Sequence, residues 1–343
     1  MKKLKQLMLT SLLFLGCNIT PKEYSIDEDD QISNSQTSKI CSKTNLNLEP
    51  DQITDLEIYQ KEAYIAHRNN QTLESKLIRT QRDLIENIEI IEGKIVKKIL
   101  VKSPTQIIKT GTNRYNNIFI STKQFTYNFL NQEVPIDIAY FDNASYIATN
   151  ESNIIKIDDN FNINQFKFED EKIKQFLYLK DKLHIITISN EDKTTKMYEI
   201  LNSNFEIQLA SIFPKEIQNI ESDGKELCIL TNNDQFGYSI SRYNVPNSQY
   251  LWEHIVTEKP LSISNHNQEC LVIEKDEELD QIVINRYNAN GIEENLIYIG
   301  TENRDLLFVK RENENVFLIT TKLNENLDLE TQLIEINLDD NCN

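Results

Sequence analysis

"LCILTN" spans Leu227 to Asn232 and "CLVIEK" spans Cys270 to Lys275. Both are short apolar runs, and near-copies of them return along the chain at an almost constant distance. "AYIAHR" begins at Ala63, "TQIIKT" at Thr105, "SYIATN" at Ser145, "LHIITIS" at Leu183 and "NVFLITT" at Asn315, so the seven are spaced by 42, 40, 38, 44, 43 and 45 residues. Each belongs to a group of such runs, four to eight residues long and alternating apolar with polar, which is the pattern of half-buried β-strands.

Two groups can be written out strand by strand. The fifth reads "IQNIES" from Ile217, "LCILTN", "YSISRYN" from Tyr238 and "YLWEHIV" from Tyr250. The sixth reads "LSISN" from Leu261, "CLVIEK", "QIVINRYN" from Gln281 and "LIYIG" from Leu296. In both, "RYN" closes the third strand and leads into an outer turn. A four-stranded sheet cannot cover its own faces, so units of this period must stack around a ring. The chain is therefore expected to be all-β, a seven-bladed β-propeller, with six or eight blades as the neighbouring counts.

The last group has only three strands: "DLLFVK" from Asp305, "NVFLITT" and "TQLIEIN" from Thr331. "TNLNLEP", Thr44–Pro50, is expected to supply the fourth and close the ring, giving a propeller over residues 44–343. Between Leu73 and Ile99 the leucines and isoleucines also fit an amphipathic helix, which would leave six blades. The repeat favours strands there, because it needs "SKLIRT" and "LIENIEII" to finish the first blade.

The N-terminus carries a different message. "MKKLKQLMLTSLLFLGC" has three early lysines and an apolar run too short to span a bilayer, so residues 1–16 are expected to be a secretory signal peptide. Its ending, "LFLGC", resembles the lipobox of bacterial lipoproteins, with Phe14 and Leu15 departing from the commonest pattern. The resemblance implies that Cys17 carries a diacylglyceryl thioether and an amide-linked acyl chain such as palmitate. Such a double anchor is stable where one chain binds only marginally. Residues 17–43, polar beyond Cys17, then form a flexible tether. The address is a bacterial envelope membrane, the outer membrane or cell surface ahead of the inner membrane.

A net charge of -18 repels nucleic acid and excludes it as a partner. Glycine occurs 7 times against 40 asparagines. Turns are thus expected to fall to Asn and Asp, which tolerate the left-handed conformation.

With Cys17 acylated, four cysteines remain, Cys41, Cys228, Cys270 and Cys342, and disulfides are permitted in an exported protein. Cys41 and Cys342 flank the seam of the ring and are expected to clamp it. Aligning "ELCIL" with "ECLVI" sets Cys228 opposite Leu271, one position out of step with Cys270. Successive strand residues face opposite sides. That offset is what lets Cys228 and Cys270 meet across two adjacent blades.

Signals for catalysis are lacking. His67, His184, His254 and His266 have no metal-ligand spacing, and no phosphate loop, nucleophile elbow or HExxH occurs. No catalytic residue, metal or cofactor is expected. "SDGKE", Ser222–Glu226, reads as a turn between first and second strands. "SRYNVPNSQYLWEH", which holds the sole tryptophan, Trp252, resembles the outer strand of quinoprotein-like propeller repeats, and lipoproteins with such repeats help assemble outer-membrane proteins. The expected function is a membrane-anchored, non-catalytic binding or scaffold lipoprotein with a protein partner in the envelope. The alternative is an enzyme or ligand receptor with its site at the channel mouth.

Overall fold

A computed structural model describes residues 40–338, apart from 50–51, 70, 82–83, 123–125, 130–131, 202–204, 215, 234–236, 257–258, 277–280, 301–303 and 324–328. Seven four-stranded antiparallel sheets follow one another. The fold is a seven-bladed β-propeller. All seven runs that set the period are second strands, from Glu62–Asn69 in blade 1 to Asn315–Leu323 in blade 7. Residues 74–91 form the third and fourth strands of blade 1, Glu74–Gln81 and Leu84–Ile91, so the helical alternative is excluded.

What closes the ring is an N-terminal strand, though not quite the expected one. Ile40–Asn45 pairs with Leu329–Asn337 and forms the outermost strand of blade 7. Leu46 and Leu48 lie just past its end and still pack into the joint between blades 7 and 1. The Leu46 amide donates to the Thr331 carbonyl at 2.9 Å, and the Thr331 hydroxyl donates to the Leu48 carbonyl at 2.7 Å. The apolar residues of "TNLNLEP" are thus used for packing, while pairing falls to the more polar residues before them.

The apolar core divides as the ring requires. Seven buried clusters lie one at each joint, and each draws its side chains from two adjacent blades. Between blades 3 and 4, Tyr146, Ala148 and Ile154 meet Leu183, Ile185 and Phe176. Every buried isoleucine at such a joint contributes about 2 kcal/mol by leaving water.

The hairpins between first and second strands are two residues long in several blades, at Gln60-Lys61, Asp142-Asn143, Lys180-Asp181 and Asn267-Gln268, with positive φ at both positions. These are type I′ turns, whose twist matches that of the strands they join. Asn and Asp fill part of the set, as expected from the scarcity of glycine. Gln60, Lys61 and Lys180 show that strand twist imposes the conformation on other residues too. At the first of these turns, the amides of Gln60 and Lys61 donate to Glu312 of blade 7 at 2.7 and 2.6 Å.

The repeated "RYN" has a mechanical explanation. Arg242 pairs with Glu226, which stands just before its blade's second strand, and Arg286 at 2.5 Å with Glu269, which opens the second strand of its own. Tyr243 packs edge-on against Phe213 of blade 4, and Tyr287 against Trp252 and His254 of blade 5. The asparagines shape the turn: Asn288 Oδ1 accepts the amides of Asn290 and Ile292. One tripeptide thereby fixes a blade internally, to its predecessor and to its own outer turn.

Candidate functional site

The innermost strands line a central channel, and their side chains decide its character. The inner strands of blades 1 to 5 and 7 each carry a bulge near the start, as between Ile53 and Asp55 or Pro135 and Asp137. An extra residue turns the following side chain out of the blade. Polar groups there reach across to the next blade. Asp55 accepts the Ile99 amide at 2.9 Å and lies 3.3 Å from the Lys98 ammonium. Asp137 accepts the amides of Phe176 at 2.6 Å and Ile138 at 2.8 Å. From blade 4, Lys174 donates to the carbonyls of Ile217 and Gln218 at 2.5 and 2.6 Å, and Gln175 to that of Ile220 at 2.8 Å.

Two residues further along lie Glu57, Leu100, Leu177, Glu221 and Lys310, lining the same cavity of about 460 Å³. The Lys310 ammonium is 3.3 Å from Glu57. Burial raises the Glu57 carboxyl above its usual range even so, because Asp55 and Asp137 partly offset the pull of Lys310. Lys310 is raised in turn, first by Glu57. Burial also raises Asp137 against its two amide bonds. Glu221 is raised to about 7, first by burial, with Asp137 and Glu57 acting against the pull of Lys310. None of these channel residues stood out in the sequence. Their signal was a charge at matching positions of otherwise apolar inner strands, as in "DLEIY" and "FVKRE".

A second concave surface lies on the perimeter of blades 4 and 5. Their outermost strands, Ile207–Phe213 and Gln249–Val256, leave Leu209, Ile212 and Tyr250 about half exposed along one groove. The groove runs on past Leu209 to Lys180, Lys182 and His184. Its floor includes Phe213 and Tyr243.

Among the residues singled out from sequence, Cys228 and Cys270 are joined by a disulfide, with Cα atoms 5.8 Å apart, linking the second strands of blades 5 and 6. Cys41 is also disulfide-bonded and is the bulged residue inside the closing strand, not a residue ahead of it. Cys342 and Cys17 lie outside the described residues. The four histidines are dispersed: His67 and His184 are buried in second strands of blades 1 and 4, His254 packs at a tilt against Trp252, and His266 lies 3.7 Å from Glu314. Burial lowers the His184 imidazole below its usual range, against the pull of Glu199. Trp252 packs in the joint of blades 5 and 6. Among the described residues, no three His, Cys, Asp or Glu side chains are grouped to hold a metal ion.

Comparison with solved structures returns propellers. The chain is similar in fold to the Neurospora crassa Pan2 WD40 domain, with a TM-score of 0.58, 10% identity, and 87% of this chain and 96% of that one covered. It is likewise similar to BamB from Moraxella catarrhalis, with a TM-score of 0.51, 12% identity and 82% of each chain covered. The WD40 β-propeller domain of Doa1 gives 0.58 at 9% identity, over 86% of this chain and 96% of that one. At such identities the likeness is one of fold. No protein-family model and no curated protein matches the sequence.

Proposed function

We propose that this chain is a lipid-anchored, non-catalytic binding platform of the bacterial cell envelope, tethered through Cys17 and docking a protein partner on the perimeter of blades 4 and 5. The observation that carries the docking is the groove of Leu209, Ile212 and Tyr250, half exposed on the outside of a rigid ring. An exposed apolar patch rimmed by polar groups is the usual mark of an interaction surface. Lys180 at its far end, beside Lys182 held by Glu199, suits a partner segment that follows an apolar side chain with a carboxylate. The channel argues less for catalysis. Asp55, Asp137 and Lys174 bond the backbone of the neighbouring blade, and Glu57 is paired with Lys310. Groups so engaged hold strands together.

Two variants test the proposal. Cys17→Ser is expected to abolish incorporation of labelled palmitate and release the chain from membranes, while Ile212→Glu is expected to leave anchoring intact and lose the partner recovered by cross-linking in intact envelopes. Retained partner capture by Ile212→Glu would move docking elsewhere. Retained membrane attachment by Cys17→Ser would remove the lipid anchor.

A further inference from the structure

We propose that the central channel is a binding site for a small organic cation, an alkyl chain ending in a primary amine, with Glu221 as the carboxylate that receives it. The first ground is the match of shape and polarity. At one level of the channel, blades 7, 1 and 5 present Lys310, Glu57 and Glu221, while blades 2 and 4 present Leu100 and Leu177. One side is thus charged and the other aliphatic, within a cavity of about 460 Å³. An alkyl stem can lie along Leu100 and Leu177 with its ammonium on Glu221.

The second ground is an imbalance of partners. Four carboxylates, Asp55, Glu57, Asp137 and Glu221, face three ammonium groups, Lys98, Lys174 and Lys310. Lys98 is held by Asp55, Lys310 by Glu57, and Lys174 by two carbonyls. Asp137 takes two amides. Glu221 alone of the four carboxylates has no bonded donor among the described residues. Glu221 is partly exposed and faces the cavity, so its carboxylate is open to a ligand that brings N–H groups. A metal ion suits the site less, since it needs several convergent ligands. An ammonium needs one carboxylate and supplies three donors to it and its surroundings.

Acidity supports this geometry. The Glu221 carboxyl titrates near 7, among Glu57, Asp55, Asp137, Lys98, Lys174, Lys310 and the Tyr178 hydroxyl. A cation binds its ionised form, so affinity at pH 6 is expected to be about tenfold below that at pH 8.

The test is calorimetric titration of the full chain with n-butylamine at the two pH values, with a lysine-containing pentapeptide in parallel. The expected result is saturable one-to-one binding, stronger at pH 8. Glu221→Gln should weaken it at least tenfold. The melting temperature of Glu221→Gln, expected not to fall, separates loss of site from loss of fold. If only the free amine binds, the ligand is a small molecule; if the peptide binds through Glu221 as well, it is a partner's side chain. Binding unchanged in Glu221→Gln, or no saturation up to about 10 mM amine, would overturn the proposal.

Discussion

The joint between blades 5 and 6 and the joint between blades 2 and 3 do the same geometric work with different chemistry. At the first, the Cys228–Cys270 bond crosses the interface, Arg242 donates to the Gln268 carbonyl at 2.6 Å, Asp223 accepts the Gln268 amide at 2.9 Å, and Asn265 donates to the Glu226 carbonyl at 2.9 Å. At the second, Ile108, Ile118 and Ile120 meet Ile138, Ile147 and Ile155, with the Lys102 ammonium 3.2 Å from the centre of the Tyr140 ring. Blade 2 is also the slightest, its outer strands Ile118–Ser121 and Thr126–Asn128 spanning 4 and 3 residues. Ring closure demands only that each face be covered. A joint rich in aliphatic side chains needs no lock, and one carrying the buried Arg242 and a tryptophan gains rigidity from having one.

The contrast can be broken in order of effect. Replacing Cys228 and Cys270 by serine opens a link between positions 42 residues apart, and the chain-entropy model puts the loss at about 4 kcal/mol. Urea unfolding would measure it, and a cost below about 1 kcal/mol would mean that the lock adds little to the polar contacts. At the aliphatic joint, Ile155→Ala should cost about 3 kcal/mol, since the side chain is fully buried. A much smaller cost would show that blade 2 relaxes into the space. Gly291→Ala sharpens the first joint: its φ is +75°, and an added Cβ would stand 2.8 Å from the Trp252 ring. A loss of about 1–2 kcal/mol is expected, with a change in selectively excited tryptophan fluorescence, which reports Trp252, the one tryptophan present. Unaltered emission would place the ring away from Gly291.

The smallest effect is one of pH and reverses sign. Glu221 titrates at 4.5 when unfolded and about 7 in the channel, so the native state holds its proton more tightly. The stability this contributes is complete below pH 4.5 and is lost as pH rises through 7. Glu221→Gln should therefore match the native chain at pH 4 and exceed it at pH 8, by on the order of 1 kcal/mol. Parallel stability curves across that range would mean that Glu221 is solvated like a surface carboxylate.

Much of the ring could be read from the sequence because its physics is periodic. A sheet that cannot cover itself repeats its apolar runs, and "LCILTN" and "CLVIEK" declare it. The one-residue offset of Cys228 against Cys270 also carried spatial information, since strand alternation converts it directly into opposite faces. The closing strand was harder. Apolar Leu46 and Leu48 drew the assignment toward Thr44–Pro50, whereas an edge strand pairs through its backbone and tolerates the polar residues of Ile40–Asn45. The channel was legible only as lone charges on the inner strands, with nothing to say that they converge. Asp55, Glu57, Asp137, Glu221 and Lys310 are single charges scattered through a chain with 54 acidic residues, and only the ring brings them together. The perimeter groove was hidden likewise, since alternation alone does not tell Ile212 on an outer strand from a buried isoleucine.

Hydrogen exchange along the N-terminal strand tests the central claim, a propeller shut by its own first strand, most directly. Ser42, Lys43 and Thr44 pair with Glu335, Ile334 and Leu333. Their amides that face blade 7 are expected to exchange as slowly as those of the blade's other strands, and to open together with them. Rapid exchange of residues 42–44 beside protected amides at 333–335 would contradict the account, because the ring would then be closed by something other than this strand.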